Sequence, residues 1–122
     1  MNKIKIAIAD DHHLVIEGLK TLLQGKGHEV TITADNGAAL IMEIMNSSVI
    51  PDVCVIDGNM PVMAGSDTTK ALINRWPKMK IIAFSMDEMT GKDMLNKGAS
   101  AFVEKNNIET LSDTIERIVG AA

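Results

Sequence analysis

The chain has 122 residues, the size of one domain, and its hydrophobic share of 46% speaks against disorder. Twelve basic against sixteen acidic side chains leave a formal charge of −4, which disfavours direct nucleic-acid binding, since that needs a basic patch to displace counterions. No apolar stretch approaches membrane-spanning length, and the single Cys54 excludes an internal disulfide, so the expectation is a cytoplasmic domain with Cys54 as a buried reduced thiol.

Lys3 to Ala9 alternates, with Ile4, Ile6 and Ile8 on one face and small Ala7 and Ala9 on the other, the pattern of a strand covered on both sides. From Leu14 to Leu23 the spacing turns helical through Val15, Gly18, Leu19, Leu22 and Leu23, and Gly25 and Gly27 end it. His28 to Thr33 alternates with Thr31 and Thr33 facing outward, as an edge strand does. Ala38, Ile41, Ile44 and Met45 mark a second helix, and Pro51 precedes the apolar strand Val53 to Ile56. Gly65 to Trp76 forms a third helix closed by Pro77, followed by a strand over Met79 to Ser85. Glu88 to Lys97 is a weaker helix, with Gly91 near its middle and Gly98 stopping it; Ala101 to Val103 is a fifth strand. The last helix aligns Ile108, Leu111, Ile115 and Ile118, with Asn106 and Glu109 placed as a capping box. Alternating strands and helices with short loops predict an α/β fold, a doubly wound parallel sheet with helices on both faces, as one domain over 1–122. Gly120, Ala121 and Ala122 read as a tail or the start of a linker.

Ligands of an open parallel sheet bind beyond the carboxyl ends of its strands. Those ends carry Asp10 and Asp11, Asp57, Ser85 and, just past the fifth, Lys105. Each alone has a bland reading: a helix-capping Asp pair, a loop carboxylate, a strand-end Ser, a solvated Lys. Together they form one crowded acidic spot, costly without a cation, and Mg²⁺ suits a few carboxylates plus water and phosphate. His12 and His13 are adjacent on a helix start and point apart, so they read as surface histidines rather than zinc ligands. Met86, Met89 and Met94 read as a packing stripe.

The motifs Ala9-Asp10-Asp11-His12, Asp57-x-x-Met60-Pro61 with Gly65, Ser85, and Lys97-Gly98-Ala99 leading to Phe102 and Lys105 resemble the response-regulator receiver family along nearly the whole chain. The run Asp11 to Leu19 is most similar to the NarL/LuxR-type subgroup, whose members usually carry a helix-turn-helix DNA-binding domain after the receiver. The resemblance implies a flavodoxin-like (CheY-like) five-stranded sheet in the order 2-1-3-4-5. It implies Asp57 as phosphoacceptor from a sensor histidine kinase, a phosphotransfer protein or a small donor such as acetyl phosphate. Mg²⁺ would be held by Asp11, Asp57 and the backbone carbonyl of Asn59, with Asp10 acting directly or through water. Lys105 and Ser85 would contact the phosphoryl oxygens; Ser85 and Phe102 would switch the surface of the fourth helix, fifth strand and fifth helix, with homodimer formation as one output. Self-phosphorylation and slow loss of the phosphoryl group are the only catalysis implied, modulated by Asn59, Met86 and Asp87.

Some positions depart from the family pattern. Gly58, Ala64 and Ser66 are expected to loosen the loop after Asp57 and the start of the third helix, and bulky Met86 is expected to shield Asp57 in part. Asn106 stands where a proline following a cis peptide is frequent; a cis bond before a non-proline costs about 3 kcal/mol, so a trans bond is expected. The competing readings are a degenerate receiver acting as an interaction module without phosphorylation, a flavodoxin-like cofactor binder, and an aspartyl phosphatase. The cofactor binder lacks a phosphate loop after the first strand, and the phosphatase lacks an Asp-x-Asp there.

Overall fold

The computed structural model describes residues 3–120; Met1, Asn2 and the expected tail residues Ala121 and Ala122 lie outside them. Five strands alternate with five helices: β1 (Lys5–Ala9), α1 (His13–Gly25), β2 (Glu29–Ala34), α2 (Gly37–Asn46), β3 (Val53–Asp57), α3 (Gly65–Arg75), β4 (Lys80–Ser85), α4 (Glu88–Asn96), β5 (Ala101–Glu104) and α5 (Leu111–Gly120). All strand pairs are parallel and the order is β2-β1-β3-β4-β5, so β2 is the edge strand its exposed Thr31 and Thr33 foretell.

Strand pleating divides the core into two layers. Ile6, Ile8, Val53, Val55, Ile82, Phe84 and Val103 point to one face, where Ile16, Leu19 and Leu23 of α1 and Leu111, Ile115 and Ile118 of α5 cover them. Ala7, Ala9, Cys54, Ile56, Ile81 and Ala83 point to the other, beneath Leu40 and Ile44 of α2, Leu72 of α3 and Met94 of α4. Burial pushes the Cys54 thiol up to about 12, so it stays an inert core sulfur. Gly27 and Gly98, at φ +90° and +117°, take the left-handed turns that end α1 and α4, as their positions in the sequence indicated.

Four expectations are corrected. The inward face of α1 uses Ile16, Leu19 and Leu23, leaving Gly18 exposed. The inward face of α2 uses Gly37, Leu40 and Ile44, leaving Ala38 and Met45 exposed. A side chain at Gly37 would collide with Thr68 of α3, and that close approach sets the helix rotation. Met86 and Met89 form no packing stripe: they are 67% and 77% exposed, while Met94 alone is buried. The capping box does not form, because Lys105 to Thr110 is a 3₁₀ stretch broken by Asn107 (φ −115°, ψ 42°), and α5 starts only at Leu111. The Lys105–Asn106 peptide is trans, as expected without a proline.

Gly91 has a role that helix propensity does not reveal. A Cβ there would lie 2.5 Å from Phe102 Cδ1 and Cε1, so the bare α4 backbone is the seat of the Phe102 ring. Gly91→Ala, which propensity alone would make stabilising by about 1 kcal/mol, should instead destabilise the fold by roughly 1–3 kcal/mol through overpacking. Urea unfolding of Gly91→Ala with and without Phe102→Leu checks this, with the second change recovering part of the loss.

Candidate functional site

The five strands deliver their final residues to one rim. Asp10 follows β1, Asp57 ends β3, Ser85 ends β4 and Lys105 follows β5, so the parallel order places side chains far apart in sequence side by side. Asp10 is 1% exposed and Asp57 3%, depths at which a lone carboxylate is costly. Lys105 answers both: its Nζ lies 2.9 Å from Asp10 Oδ2 and 3.1 Å from Asp57 Oδ1. The ammonium also sits 5.6 Å from the centre of the Phe84 ring, whose face adds a weaker attraction.

The remaining partners hold the carboxylates in orientation. Asp10 Oδ1 accepts the His12 backbone N–H (2.8 Å), and Asp57 Oδ1 accepts a long bond from the Asn59 N–H (3.4 Å). Asp57 Oδ2 is buried and has no hydrogen-bond partner. Burial, and then the charge of Asp10, push the Asp57 carboxyl above its ordinary range, with Lys105 opposing them in part. For Lys105 burial works downward, but its hydrogen bond to Asp10 and the charges of Asp57 and Asp10 carry it above the usual lysine value.

Asp10, Asp11, His12 and Asp57 each offer a ligand atom, all within 4.8 Å of one another. Hard carboxylate oxygens and an orphaned buried one fit Mg²⁺, which prefers a few such ligands plus water. His12 was read from sequence as a surface histidine. It is exposed, yet its Nδ1 stands 3.3 Å from Asp10 Oδ1 and 3.2 Å from Asp11 Oδ1, so it belongs to the cluster, whereas His13 opens α1 outside it. Its place directly after the Asp pair was the available signal.

Not every expected residue touches the carboxylates. The Ser85 hydroxyl oxygen accepts the Asp87 N–H at 3.0 Å, leaving its own proton free to donate. Asp87 caps α4, accepting from the Met89 N–H (3.2 Å) and the Thr90 hydroxyl (2.7 Å). Those bonds, Thr90 first, hold its carboxyl below the usual range. The side of Asn59 is exposed, Met86 projects into solvent, and Phe102 is half-buried on Gly91, away from the cluster.

The loop after Asp57 is less slack than its small residues implied. Gly65 N–H donates to the Gly58 carbonyl (3.0 Å), and a Cβ on Gly65 would lie 2.5 Å from the Asp57 carbonyl oxygen. Ala64 does leave α3 without a side-chain cap, and Val62 holds a left-handed φ of 69°, a strained state for a β-branched residue. An apolar cavity of about 480 Å³ lined by Ile50, Trp76 and Met79 lies at the opposite pole of the sheet; its carboxylate, Asp52, is engaged by the Lys5 N–H (2.8 Å).

Comparison with known proteins points the same way. Residues 6–116 match the model of the response regulator receiver domain family. The chain is 38% identical over 109 residues to the transcriptional regulatory protein DegU of Brevibacillus brevis, covering 85% of this chain and 44% of that protein. It is 33% identical over 119 residues to the transcriptional regulatory protein LnrK of Bacillus subtilis, covering 95% and 52%. The chain thus spans about half the length of the curated relatives it matches. Among solved structures, the signal receiver domain of the response regulator NarL from Mycobacterium tuberculosis superposes with a TM-score of 0.89 at 25% identity, over the full length of both chains.

The raised Asp57 carboxyl has a measurable consequence. Its ionised form is less favourable in the folded chain than in the unfolded one, so it contributes stability only at acid pH, lost as pH rises through the folded value. Without divalent ions, Asp57→Asn should therefore melt a few degrees higher than the parent at pH 7. That gain should vanish below the ordinary carboxylate value of about 3.9. Thermal melts across pH in EDTA check this.

Proposed function

This chain belongs to the response regulator receiver domain family, the receivers of two-component systems, and from that premise we propose that Asp57 is its phosphoacceptor. The observation that carries this reading is the bridge from Lys105 to both Asp10 and Asp57, four elements apart, beside a buried carboxylate oxygen with no partner. A carboxylate oxygen of Asp57 attacks phosphorus. The P–N bond of a phosphohistidine, or the P–O bond of acetyl phosphate, breaks, and its electron pair stays with the imidazole or acetate. An acyl phosphate on Asp57 results, and attack of water on phosphorus later returns the carboxylate.

Asp11, Asp57 and the Asn59 carbonyl, with Asp10 directly or through water, would hold Mg²⁺, which would supply positive charge against the crowded oxygens. Lys105 keeps the acceptor oriented and balances charge on the phosphoryl oxygens, most of what phosphoryl transfer asks of a protein. Ser85, whose proton is free, donates to a phosphoryl oxygen after leaving the Asp87 N–H. The readout runs through Ser85 and Phe102 to the surface of α4, β5 and α5. The natural partners are a histidine kinase or phosphotransfer protein, a second copy of the phosphorylated domain, and a DNA-binding output domain of the kind that the relatives' transcriptional roles imply. The domain itself has an acidic balance unsuited to nucleic acid, and no helix among the described residues is long and apolar enough to cross a membrane.

Incubation with Mg²⁺ and acetyl phosphate, followed by intact mass, should give a base-labile phosphoryl adduct that Asp57→Asn abolishes. Lys105→Ala should slow labelling by about a hundredfold or more, the scale of losing one charge-stabilising donor. A parent protein that takes up nothing from acetyl phosphate or a kinase, and shows no beryllofluoride response, would favour the interaction-module reading. Met86 follows Ser85 directly, and its bulk is proposed to slow donor and water access. Met86→Ala should then speed both acetyl-phosphate labelling and phosphate loss, measured in the same assay.

A further inference from the structure

The space that Gly58 leaves empty is already taken. A Cβ built on Gly58 would collide with the Cγ2 methyl of Thr90 from α4, and would lie 3.3 Å from Ser85 Oγ. Gly58 directly follows the phosphoacceptor, so Thr90 packs a methyl group against the backbone next to Asp57 and beside the Ser85 hydroxyl. Its own hydroxyl turns away, donating to Asp87 Oδ2 at 2.7 Å. The two halves of one side chain thus do different work. The methyl grips the phosphoacceptor loop, and the hydroxyl ties down Asp87, whose N–H holds Ser85 Oγ at 3.0 Å.

We propose that Thr90 is a positioning residue for phosphoryl transfer, a latch whose methyl, seated on Gly58, holds the first turn of α4 against the phosphoacceptor loop and keeps Ser85 engaged with Asp87 in the unphosphorylated state. Two features favour a latch over mere packing. First, α4 buries only Gly91 and Met94, so its first turn has little else to hold it, and small contacts there carry weight. Second, Asp57 Oδ2 has no solvent contact in this state, so phosphorylation needs neighbouring groups to move, and the first turn of α4 is one that lies over the adjoining residue. The consequence for rate rests on the reading of Asp57 as phosphoacceptor; the consequence for the resting conformation does not.

A methyl moved across the contact tests it. Gly58→Ala should push the first turn of α4 outward, shift the amide NMR signals of Ser85, Asp87 and Met89 without any phosphodonor, and speed acetyl-phosphate labelling by at least about twofold, the lower end of coupling between touching residues. Thr90→Ser removes Cγ2 but keeps the hydroxyl, so Gly58→Ala with Thr90→Ser should return shifts and rate towards the parent. Amide shifts and rates of the double variant equal to the sum of the single changes would overturn the proposal. Should Gly58→Ala fail to fold, the contrast within position 90 decides. Thr90→Ser must shift the amides of Gly58 and Asn59, against which the methyl sits, while Thr90→Val, which keeps a methyl but loses the bond to Asp87, must leave those two in place; the reverse order overturns the latch. A parent protein that never takes up phosphoryl would sink the assignment of Asp57, while the donor-free amide shifts would still judge the latch.

Discussion

Everything at the rim follows from one electrostatic problem, the crowding of carboxylates that parallel strands bring to a single place. Asp10 and Asp57 are almost wholly buried, and burial together with the charge of Asp10 makes Asp57 harder to ionise. One ammonium, Lys105, reaches both and is itself held between them. One positive charge among three carboxylates leaves negative charge unbalanced, and that shortfall is the physical basis for expecting a cation.

Much of this was legible in the sequence because the residues that matter stand at the ends of apolar runs. Asp10 directly follows, and Asp57 and Ser85 end, a strand whose alternation or apolar run is plain, and Lys105 follows the short β5 after Gly98. Once the fold is parallel, those positions must converge. The helix faces were harder. Residues 38–45 are apolar on nearly every side, so periodicity offered no contrast, and the true inward face was set by Thr68 approaching Gly37 from another helix. The capping box at Asn106 and Glu109 failed for a related reason. Lys105 is committed to Asp10 and Asp57, and the chain leaving it turns through a 3₁₀ stretch before α5 can begin. Tertiary commitments of that kind have no local signature.

Glycine was the residue most misread. Gly58 and Gly91 look like slack in the sequence, one beside the acceptor and one inside a helix. In the fold each is a contact: Thr90 fills the first and the Phe102 ring the second. Both contacts are made by or against α4, and Gly65 brings the start of α3 equally close to the Asp57 carbonyl. Close backbone approach, invisible to composition, supplements the thin hydrophobic anchoring of α4, in which Met94 is the one large buried side chain among the described residues.

That arrangement bears on the proposed readout, in which α4 is one of the elements that move. An element held by deep burial of large side chains resists displacement, since each buried group costs about 1.5–3 kcal/mol to expose. In α4 one such group, Met94, does the anchoring, and the first turn rests only on a methyl in a notch, so that turn can be re-seated for less than the helix as a whole. Ser85 joins this fit to the chemistry, since its hydroxyl oxygen accepts from the α4 cap and its proton remains available for a phosphoryl oxygen. On the proposed reading, Ser85 leaves the Asp87 N–H to meet a phosphoryl oxygen, and the arrival of charge at Asp57 thereby loosens the seat of the first turn of α4.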